Sequence, residues 1–387
     1  MPKKRILFVF GTRPEAIKLA PVIEAFNQDK NGFFEILICS TGQHREMLEQ
    51  AVSKFRIPVH QNLSIMTENQ TLTDIETKTI SKITPLYKTN TPDLVMVQGD
   101  TTTAMAAAKA AFGSKIKVAH VEAGLRSFDR KNPYPEEDNR VEIDRVSSLH
   151  FAPTALAKEN LLKEGVPAKS VVVTGNTVID ALRFIVDQTK TESEKMETLP
   201  KDKKWILVTA HRRENFGKPL ENICKAILKI VKKYKEKYHI VYPVHLNPNV
   251  KETVFGYLAN KDAISLWPPC GYNTLIKLLG DPNLRLILTD SGGIQEEAPA
   301  FGKPVIVLRK VTERPEAIKA GCARLVGELT EDNIFSSVDR LLSDPNQYQK
   351  MARVANPFGD GKASQRILEA TKKFFDLPAK NLPEFKG

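Results

Sequence analysis

The sequence has few cysteines and no long apolar run. Its 387 residues include four cysteines, and their wide separation argues against a zinc site or a disulfide framework. The apolar run Ile6–Phe10 is too short for the core of a signal peptide, and no stretch approaches the length of a membrane span. These absences predict a cytoplasmic protein with reduced thiols and no membrane partner.

A nucleic-acid-binding signature is missing as well. The formal net charge is +11 at pH 7, but much of it lies in Lys225–Lys237, where basic residues alternate with aliphatic ones at helical spacing. This pattern indicates a solvated helix face, and no basic stripe with interleaved aromatic residues accompanies it. We therefore expect no nucleic-acid partner, and the positive surplus suits a small anionic substrate.

Chain length and strand pattern predict an α/β protein with two domains. The chain is too long for one ordinary core, and each β-rich run is followed by a helical pattern, which indicates parallel sheets covered by helices on both faces. The charged stretch Asp187–Lys204 predicts a break between two Rossmann-like, doubly wound domains. We assign residues 1–184 to the first domain, 185–361 to the second, and a returning C-terminal helix at 362–378 to the first. The predicted strands are Arg5–Phe10, Glu35–Ser40, Asp93–Gln98, Lys117–Val121, Ser148–Ala152, Val171–Thr174, Trp205–Ala210, His239–Val244, Ala263–Leu266, Leu284–Thr289 and Pro304–Leu308.

The segment Leu286–Pro299 predicts an anion-binding turn. An apolar strand leads into Ser291, Gly292 and Gly293, and a helix follows. Glycines allow the backbone to approach a ligand closely, and the N–H groups and dipole of a helix start favour a phosphate. Glu297, one turn further on, is placed to hold sugar hydroxyls. In the alternative interpretation, Ser291 only caps the helix and the glycines only form the turn.

Three carboxylates are predicted to meet at the carboxyl edge of the first sheet. Asp100 follows one strand, Glu122 follows the next, and Glu136 opens a helix after a long loop. Such a set suits general acid and base catalysis. The simpler alternatives are that Asp100 caps a helix and that acids at a helix start need no function. Strand alternation puts His120 and Glu122 on one face, but a metal site there lacks a suitably spaced third ligand.

Several cations lie at predicted strand or helix ends. Arg13 and Lys18 flank the first helix start, where they can clamp a diphosphate. His211 follows a strand of the second domain and can donate to a phosphate or move a proton. Arg314 can neutralise a phosphate bound at the glycine-rich turn. The alternatives are a solvated helix start for Arg13 and Lys18 and a capped or buried histidine for His211.

Taken in order, the motifs cover nearly the whole chain, and it resembles the non-hydrolysing bacterial UDP-N-acetylglucosamine 2-epimerases. The motifs are Gly11–Lys18, Gly99–Thr103, His120–Arg126, Pro135–Arg140, Thr174–Asp180, His211–Asn215, Thr289–Pro299 and Thr312–Ala317. The resemblance implies the two-domain GT-B fold of B-type glycosyltransferases, with an active site in the interdomain cleft. It also implies a homodimer and no cofactor.

The resemblance further implies the reaction and the residues that perform it. UDP-GlcNAc would be converted reversibly to UDP-ManNAc through loss of the C2 proton and elimination of UDP, and UDP would then add back to the 2-acetamidoglucal intermediate. The implied catalytic residues are Asp100, Glu122, Glu136 and His211. The implied ligands of UDP and substrate are Arg13, Lys18, Arg140, His211, Ser291, Gly292, Gly293, Glu297 and Arg314.

Near the predicted catalytic residues, the sequence differs from the residues that are most common in the family. Gln98 stands where His is frequent, and Asn132–Pro135 replaces a more usual Ser-Pro-Trp-Pro. Many bacterial members are activated by a second UDP-GlcNAc, and Gln43, His44 and Gln70 fit such an allosteric site. Activation is a hypothesis for this chain.

Three other functions fit parts of the pattern. A hydrolysing epimerase would release ManNAc and UDP, but the N-terminal motif of that family usually differs from the Arg-Pro-Glu-Ala sequence retained at Arg13–Ala16. A GT-B glycosyltransferase would not need three carboxylates in the first domain. A UDP-sugar sensor without catalysis would not need an intact acid and base set.

Overall fold

Two parallel β-sheets form the cores of the chain. The structure, a computed structural model, describes residues 2–42, 48–49, 52–53, 55–67, 70–130, 134–188 and 194–387. It separates into two compact units, of which one comprises Met1–Ala181 with Phe358–Gly387 and the other comprises Leu182–Pro357. Strand pairing is parallel throughout the described residues of both sheets.

The first unit contains a seven-stranded sheet. Its strands are β1 Lys4–Phe10, β2 Phe34–Ser40, β3 Gln61–Asn62, β4 Leu94–Gln98, β5 Lys117–Val121, β6 Leu149–Ala152 and β7 Val171–Val173, in the spatial order β3-β2-β1-β4-β5-β6-β7. The chain order therefore reverses between β1 and β4. Open α/β sheets bind ligands at the carboxyl ends of the strands beside such a switch point.

Helices of the first unit cover both faces of this sheet. They are α1 Arg13–Asn27, α2 Leu72–Asn90, α3 Thr102–Gly113, α4 Glu136–Val146, α5 Ala155–Lys163 and α6 Thr177–Gln188, with a 3-10 turn at Ala168–Ser170. All five residues of β4 are buried. The α3 helix packs against this strand through small side chains, since Ala106, Ala107 and Ala108 are fully buried. Burial on both faces explains why the central strands are continuous apolar runs.

The second unit contains a six-stranded sheet with the order β10-β9-β8-β11-β12-β13. The strands are β8 Lys204–Thr209, β9 Tyr238–Pro243, β10 Ile264–Trp267, β11 Leu284–Thr289, β12 Val305–Val307 and β13 Ala323–Leu325. The helices of the second unit are α7 Glu194–Glu197, α8 Lys218–Tyr234, α9 Pro248–Leu258, α10 Tyr272–Gly280, α11 Gly292–Glu297, α12 Pro315–Ala320, α13 Glu331–Ser343 and α14 Pro345–Ala352, with 3-10 turns at Arg213–Asn215 and Ala298–Phe301. The last helix of the chain, α15 Ala363–Phe374, belongs to the first unit. The switch point of this sheet lies between β8 and β11.

The predicted fold class is confirmed. Each of the eleven predicted β-rich runs overlaps a strand of one of the two parallel sheets. The sequence analysis missed β3 and β13, which have two and three residues. β3 is the polar pair Gln-Asn and β13 contains Arg324, so neither is an apolar run, whereas β7 and β12, each also of three residues, are entirely aliphatic. Within the described residues, no helix is both long and apolar enough to cross a membrane.

A buried lysine attaches the C-terminal helix α15 to the end of α1. Lys372 Nζ donates to Asp29 Oδ1 at 2.9 Å and to Glu369 Oε1 at 3.0 Å, and its side chain is 3% exposed. Glu369 also accepts from the backbone N–H of Lys380. Burial disfavours the ammonium charge, but the hydrogen bonds to the two carboxylates raise the pKa of Lys372 above its ordinary value. This cluster fixes both ends of the first unit to each other.

We expect Lys372→Met to lower the free energy of unfolding by about 3–5 kcal/mol, because it leaves two buried carboxylates without their cation. Urea unfolding followed by circular dichroism measures the change. Lys373→Met is the matched control, since Lys373 lies on the exposed side of the same helix. Equal unfolding midpoints for the two variants would contradict the structural importance of Lys372.

Candidate active site

Both sheets present polar groups at their switch points. In the first unit, β1, β4 and β5 lead into Gly11, Gly99 and Glu122, respectively. In the second unit, β8 leads through Ala210 into His211, and β11 leads directly into Asp290. The chain thus carries two separate polar clusters, each at the sheet edge where α/β folds bind ligands.

The buried carboxylate of Glu15 links the turns after β1 and β4 at the switch point of the first unit. Glu15 Oε2 accepts from the backbone N–H groups of Gly11 at 3.0 Å and Thr12 at 2.7 Å, while Oε1 accepts from Thr101 Oγ1 at 2.8 Å. Burial raises the pKa of Glu15, and these hydrogen bonds act in the opposite direction. A Cβ on Gly11 would lie 2.2 Å from the hydroxyl of Thr41, so this tight turn requires glycine.

The tight turn sets where α1 begins. Arg13 is the first residue of this helix and is partly buried, and Lys18 lies more than one turn further along it. Both residues belong to the helix that follows the carboxyl end of β1. Lys18 joins the cluster that follows through its ion pair with Glu122.

Glu122 is held in an unusual backbone conformation by two donors. It follows β5 with a φ of 73°, in the left-handed region that residues other than glycine rarely adopt. Its buried Oε2 accepts from Lys18 Nζ at 2.5 Å and from Gln98 Nε2 at 2.6 Å. Because β5 ends at Val121, strand alternation does not extend to Glu122. Its side chain is oriented by the turn and by these donors.

Asp100 does not cap a helix. Thr101 is the N-cap of α3, and its hydroxyl accepts from the N–H of Ala104 at 3.1 Å. The Asp100 carboxylate instead pairs with Arg140, with Oδ2 at 2.6 Å from Nη2, and its side chain is 30% exposed. Asn139 Nδ2 donates to the backbone carbonyl of Asp100 at 2.9 Å. The capping alternative is therefore wrong, and the carboxylate is partly open to solvent beside a guanidinium.

Two consecutive glutamates at the start of α4 have different surroundings. Glu137 accepts from the backbone N–H groups of Ser127 and Phe128, and its Oε2 lies 3.2 Å from Arg140 Nη1. It therefore anchors the preceding loop. Glu136 has a buried Oε2 that has no hydrogen-bond partner among the described residues. A buried carboxylate oxygen without a donor is costly, which is typical of a group that serves function.

A buried layer beneath these carboxylates fixes the turn before Asp100. His120 Nδ1 lies 2.6 Å from Asp144 Oδ1, and His120 Nε2 lies 2.7 Å from the carbonyl of Gly99. Both ring nitrogens of His120 are thus engaged by oxygen atoms of the protein, and neither is available to a metal. Burial disfavours the charge of Asp144, but neighbouring His120 and Arg126 hold the pKa of this carboxyl below its ordinary value. Arg126 Nη2 lies 2.8 Å from Asp144 Oδ2.

In the second unit, His211 lies on a loop tied to the fully buried Asp290. Asp290 Oδ2 accepts from the backbone N–H groups of His211 and Arg212 and from the side-chain amide of Asn215. The ring of His211 stacks on that of His245, with centroids 5.3 Å apart. Burial lowers the pKa of His211, and the Asp290 charge acts in the opposite direction. His211 is thus neither a helix cap nor a fully buried core histidine.

The glycine-rich turn leads directly into α11. Ser291 occupies the N-cap position, but its side chain makes no capping hydrogen bond, so the capping alternative for Ser291 is wrong. Gly292 and Gly293 form the first turn of the helix. Glu297 is buried at the end of this helix, where its Oε1 accepts from the Tyr272 hydroxyl at 2.9 Å. Tyr272, the first residue of α10, therefore positions the carboxylate predicted to hold sugar hydroxyls.

Three arginines and a glutamate surround the start of α11. Arg212 Nη2 lies 2.9 Å from Glu313 Oε1, and Arg309 also pairs with Glu313. Arg314 pairs with the buried Glu296. Burial raises the pKa of Glu313, but the three guanidinium groups outweigh it and hold the pKa at about 2. A Cβ on Gly292 would lie 3.0 Å from Glu313 Oε1, so this charged cluster directly adjoins the predicted phosphate turn.

The predicted allosteric residues are only partly described. Gln43 and His44 lie outside the described residues. Gln70 Oε1 accepts from the backbone N–H of Thr67 at 3.2 Å, just before the Thr71 cap of α2. The Gln70 side chain therefore fixes the entry to that helix.

The sequence analysis gave no role to three residues that organise these clusters: Gln98, Asp144 and Asp290. Helical spacing is a signal for Asp144, because Glu137, Arg140 and Asp144 lie three and four residues apart and share one face of α4. Gln98 was identified only as a residue that differs from the His frequent at this position in the family. No local signal in the sequence indicates that Asp290 reaches across to the loop after β8.

The sequence matches a family model described as UDP-N-acetylglucosamine 2-epimerase over residues 26–372. It is 48% identical over 375 residues to the UDP-N-acetylglucosamine 2-epimerase of Escherichia coli K12, covering 95% of this chain and 98% of that protein. Similarity at this level extends across both units and both polar clusters.

Solved structures give the same relationship. The crystal structure of UDP-GlcNAc 2-epimerase from Neisseria meningitidis bound to UDP-GlcNAc is 46% identical, with a TM-score of 0.86 and coverage of 95% of this chain and 100% of that chain. A glycosyltransferase from Rickettsia africae is 17% identical, with a TM-score of 0.61 and coverage of 97% and 99%. The second likeness concerns the fold alone and agrees with the expected GT-B class.

We expect Asp144→Asn to lower the free energy of unfolding at pH 7 by about 3–5 kcal/mol, because His120 and Arg126 lose their buried counter-charge. The lowered pKa of Asp144 stabilises the folded wild type above the ordinary value of 3.8, and this stability is lost as the pH falls through the lowered value. The variant should lack that part of the acid dependence.

Urea unfolding at several pH values between neutral and acid measures both effects. Asp138→Asn is the control, since Asp138 lies on the same helix but pairs with the largely exposed Arg130. We expect little change from this control because exposed ion pairs contribute little stability. A wild-type acid dependence retained in Asp144→Asn would contradict the assignment.

Proposed function

The chain belongs to the UDP-N-acetylglucosamine 2-epimerase family, and from this premise we propose that it is a non-hydrolysing epimerase. In this reaction UDP-GlcNAc loses the C2 proton and UDP, the 2-acetamidoglucal stays bound, and UDP adds back after a proton returns to the other face of C2. The product is UDP-ManNAc. The chemistry requires acid and base groups near C2 and stabilisation of a departing diphosphate.

The observation that carries the proposal is the arrangement of carboxylates at the first switch point. Glu122 is held by Lys18 and Gln98, Asp100 pairs with Arg140, and Glu136 has a buried oxygen without a donor among the described residues. These three surroundings differ in charge and solvation, which is the condition for giving acid and base roles to similar side chains. We assign the proton transfers at C2 to this set.

The C2 proton is only weakly acidic, so its removal needs a partner process. Breakage of the C1–O bond supplies one, because the electron pair of the C2–H bond forms the C1–C2 double bond while the C1–O pair leaves with UDP. Each carboxylate of the set can accept the proton from one face of C2 or return a proton to the other face of C2. Lys18 and Arg140 limit the accumulation of negative charge in this set.

We assign the departing UDP to the polar cluster of the second unit. Ser291, Gly292 and Gly293 supply a helix start that suits a phosphate, and Glu297 is positioned by Tyr272 for hydroxyl groups. His211 is placed to assist at the diphosphate. Arg13 and Arg314 complete the predicted set, and Arg314 would have to share its charge between the diphosphate and Glu296.

Two rival functions share parts of this site. A hydrolysing epimerase uses the same elimination but loses the intermediate to water, and the start Arg13–Ala16 favours the non-hydrolysing reaction. A retaining glycosyltransferase also needs a UDP-sugar turn. It gives no reason for the constrained backbone of Glu122, or for the buried oxygen of Glu136 to which no described residue donates.

Incubation with UDP-GlcNAc in heavy water tests the proposal. Proton NMR should show UDP-ManNAc with deuterium at C2, and the recovered UDP-GlcNAc should also gain deuterium because the reaction is reversible. UDP-GlcNAc labelled with ¹⁸O in the C1–O bridge should scramble this label into the β-phosphate. Unlabelled products would refute C2 deprotonation, and accumulation of free ManNAc with UDP would favour the hydrolysing enzyme.

We expect Asp100→Asn, Glu122→Gln and Glu136→Gln each to lower kcat by about 10²–10⁴-fold, the range typical of acid and base groups. Product formation followed by NMR gives the rates, and thermal unfolding checks that each variant is folded. Glu142→Gln is the matched control, because Glu142 lies on the same helix as Glu136 and is exposed. Wild-type kcat in all three site variants would refute the assignment.

Allosteric activation by UDP-GlcNAc gives a separate kinetic prediction. If Gln70 forms part of an activating site with Gln43 and His44, initial rates for the reverse reaction should rise when UDP-GlcNAc is added, and Gln70→Ala should reduce this response. Gln61→Ala is the control, since Gln61 is an exposed residue of the nearby β3. Hyperbolic kinetics that do not respond to UDP-GlcNAc would contradict activation.

A further inference from the structure

Asp290 is a fully buried carboxylate for which the mechanism above gives no role. We propose that Asp290 is the positioning residue of His211: it fixes the imidazole through Nδ1 and stabilises the charged ring beside the diphosphate. This inference rests on the proposed function, because it supplies a partner for a histidine of that mechanism. The two oxygens of Asp290 have separate tasks.

One oxygen of Asp290 builds the loop that carries His211. Oδ2 accepts from the backbone N–H groups of His211 at 2.8 Å and Arg212 at 2.9 Å, and from Asn215 Nδ2 at 2.9 Å. The backbone N–H of Asp290 also donates to the carbonyl of Thr209 at 3.1 Å. These bonds join the ends of β8 and β11, so the backbone of His211 is fixed relative to the sheet.

The other oxygen faces the imidazole ring. Oδ1 is buried, has no hydrogen-bond partner among the described residues, and lies 3.6 Å from His211 Nδ1. Leaving a buried carboxylate oxygen without a donor is costly. An Nδ1–H on His211 is a suitable donor, and a small rotation of the ring, whose side chain is 41% exposed, brings it within hydrogen-bond distance.

Among the described residues, the titratable or charged groups that act on His211 are Asp290, His245 and Arg212. Burial, His245 and Arg212 lower the pKa of His211, and among these groups only Asp290 raises it. The stacked ring of His245 has its own constraint, since its Nδ1 accepts from the backbone N–H of Asn247 at 3.1 Å. That nitrogen carries no proton, so an added proton in the stacked pair is best accommodated on His211, beside the carboxylate.

The arrangement gives the two nitrogens of His211 different roles. Nδ1–H donates to Asp290, which leaves Nε2 on the far side of the ring for a ligand, as an acceptor in the neutral ring and a donor in the charged ring. When the ring is charged, Nε2–H stabilises the negative charge that develops on the diphosphate as the C1–O bond breaks. A carboxylate that orients an imidazole and supports its charge has this effect in the triads of hydrolases.

Asp290→Asn tests the inference, because the amide oxygen can still accept from the loop while the charge beside Nδ1 is lost. We expect the variant to fold and kcat to fall by about 10²-fold. The pKa of His211, followed by NMR titration of labelled imidazoles and assigned with His211→Ala, should fall below its wild-type position. The alkaline limb of kcat should move to lower pH, because the charged ring is lost sooner.

Asn215→Ala separates this role from simple support of the loop. It removes one donor to Asp290 Oδ2 but keeps the carboxylate, so we expect lower thermal stability with the pKa of His211 unchanged. An unchanged pKa of His211 in a folded Asp290→Asn variant would overturn the inference, whatever the activity. Failure of the wild type to form deuterated UDP-ManNAc would instead refute the proposed function, and the titration would still decide whether Asp290 controls His211.

Discussion

A buried carboxylate at each switch point is the constraint on which the two polar clusters depend. Glu15 accepts from two consecutive backbone N–H groups after β1 and from Thr101 after β4. Asp290, after β11, accepts from two consecutive N–H groups after β8. Parallel strands diverge into helices on opposite faces at such points, which leaves turn N–H groups without sheet partners. A carboxylate that accepts them holds two neighbouring strand ends together.

The two units carry different functional groups at similar sheet edges, each of which is held together by a buried carboxylate. In the first unit the groups beyond Glu15 are mostly carboxylates. Glu122 is oriented by Lys18 and Gln98, whereas Glu136 has a buried oxygen with no hydrogen-bond partner among the described residues. In the second unit they are a helix start, an imidazole and guanidinium groups. The first set suits proton transfer and the second suits a diphosphate, so the division of labour follows from which residues extend the strand ends and not from the fold itself.

Sequence reasoning was most successful for the strands whose apolar residues follow one another without interruption. Eleven strands and the fold class were predictable because strands buried on both faces are continuous apolar runs, whereas β3 and β13 contain no such run. The candidate residues were identified as strand-end polar groups, and their roles stay predictions. Asp290 and the conformation of Glu122 were not predictable, because one depends on a contact across 79 positions of sequence and the other on a turn that leaves the strand.

The charges of the site also show why the net charge of +11 is a poor guide to ligand affinity. Exposed lysines of α8, such as Lys229 and Lys233, contribute to that surplus and form surface ion pairs with α13. Lys18 and Arg314, two of the cations predicted to contact substrate, are themselves paired, since Lys18 contacts Glu122 and Arg314 contacts Glu296. A diphosphate must therefore compete with carboxylates that already solvate these cations, which makes the attraction smaller than bare cations would give. Moderate attraction suits a reaction in which UDP leaves and returns, because a leaving group held too tightly would not add back to the intermediate.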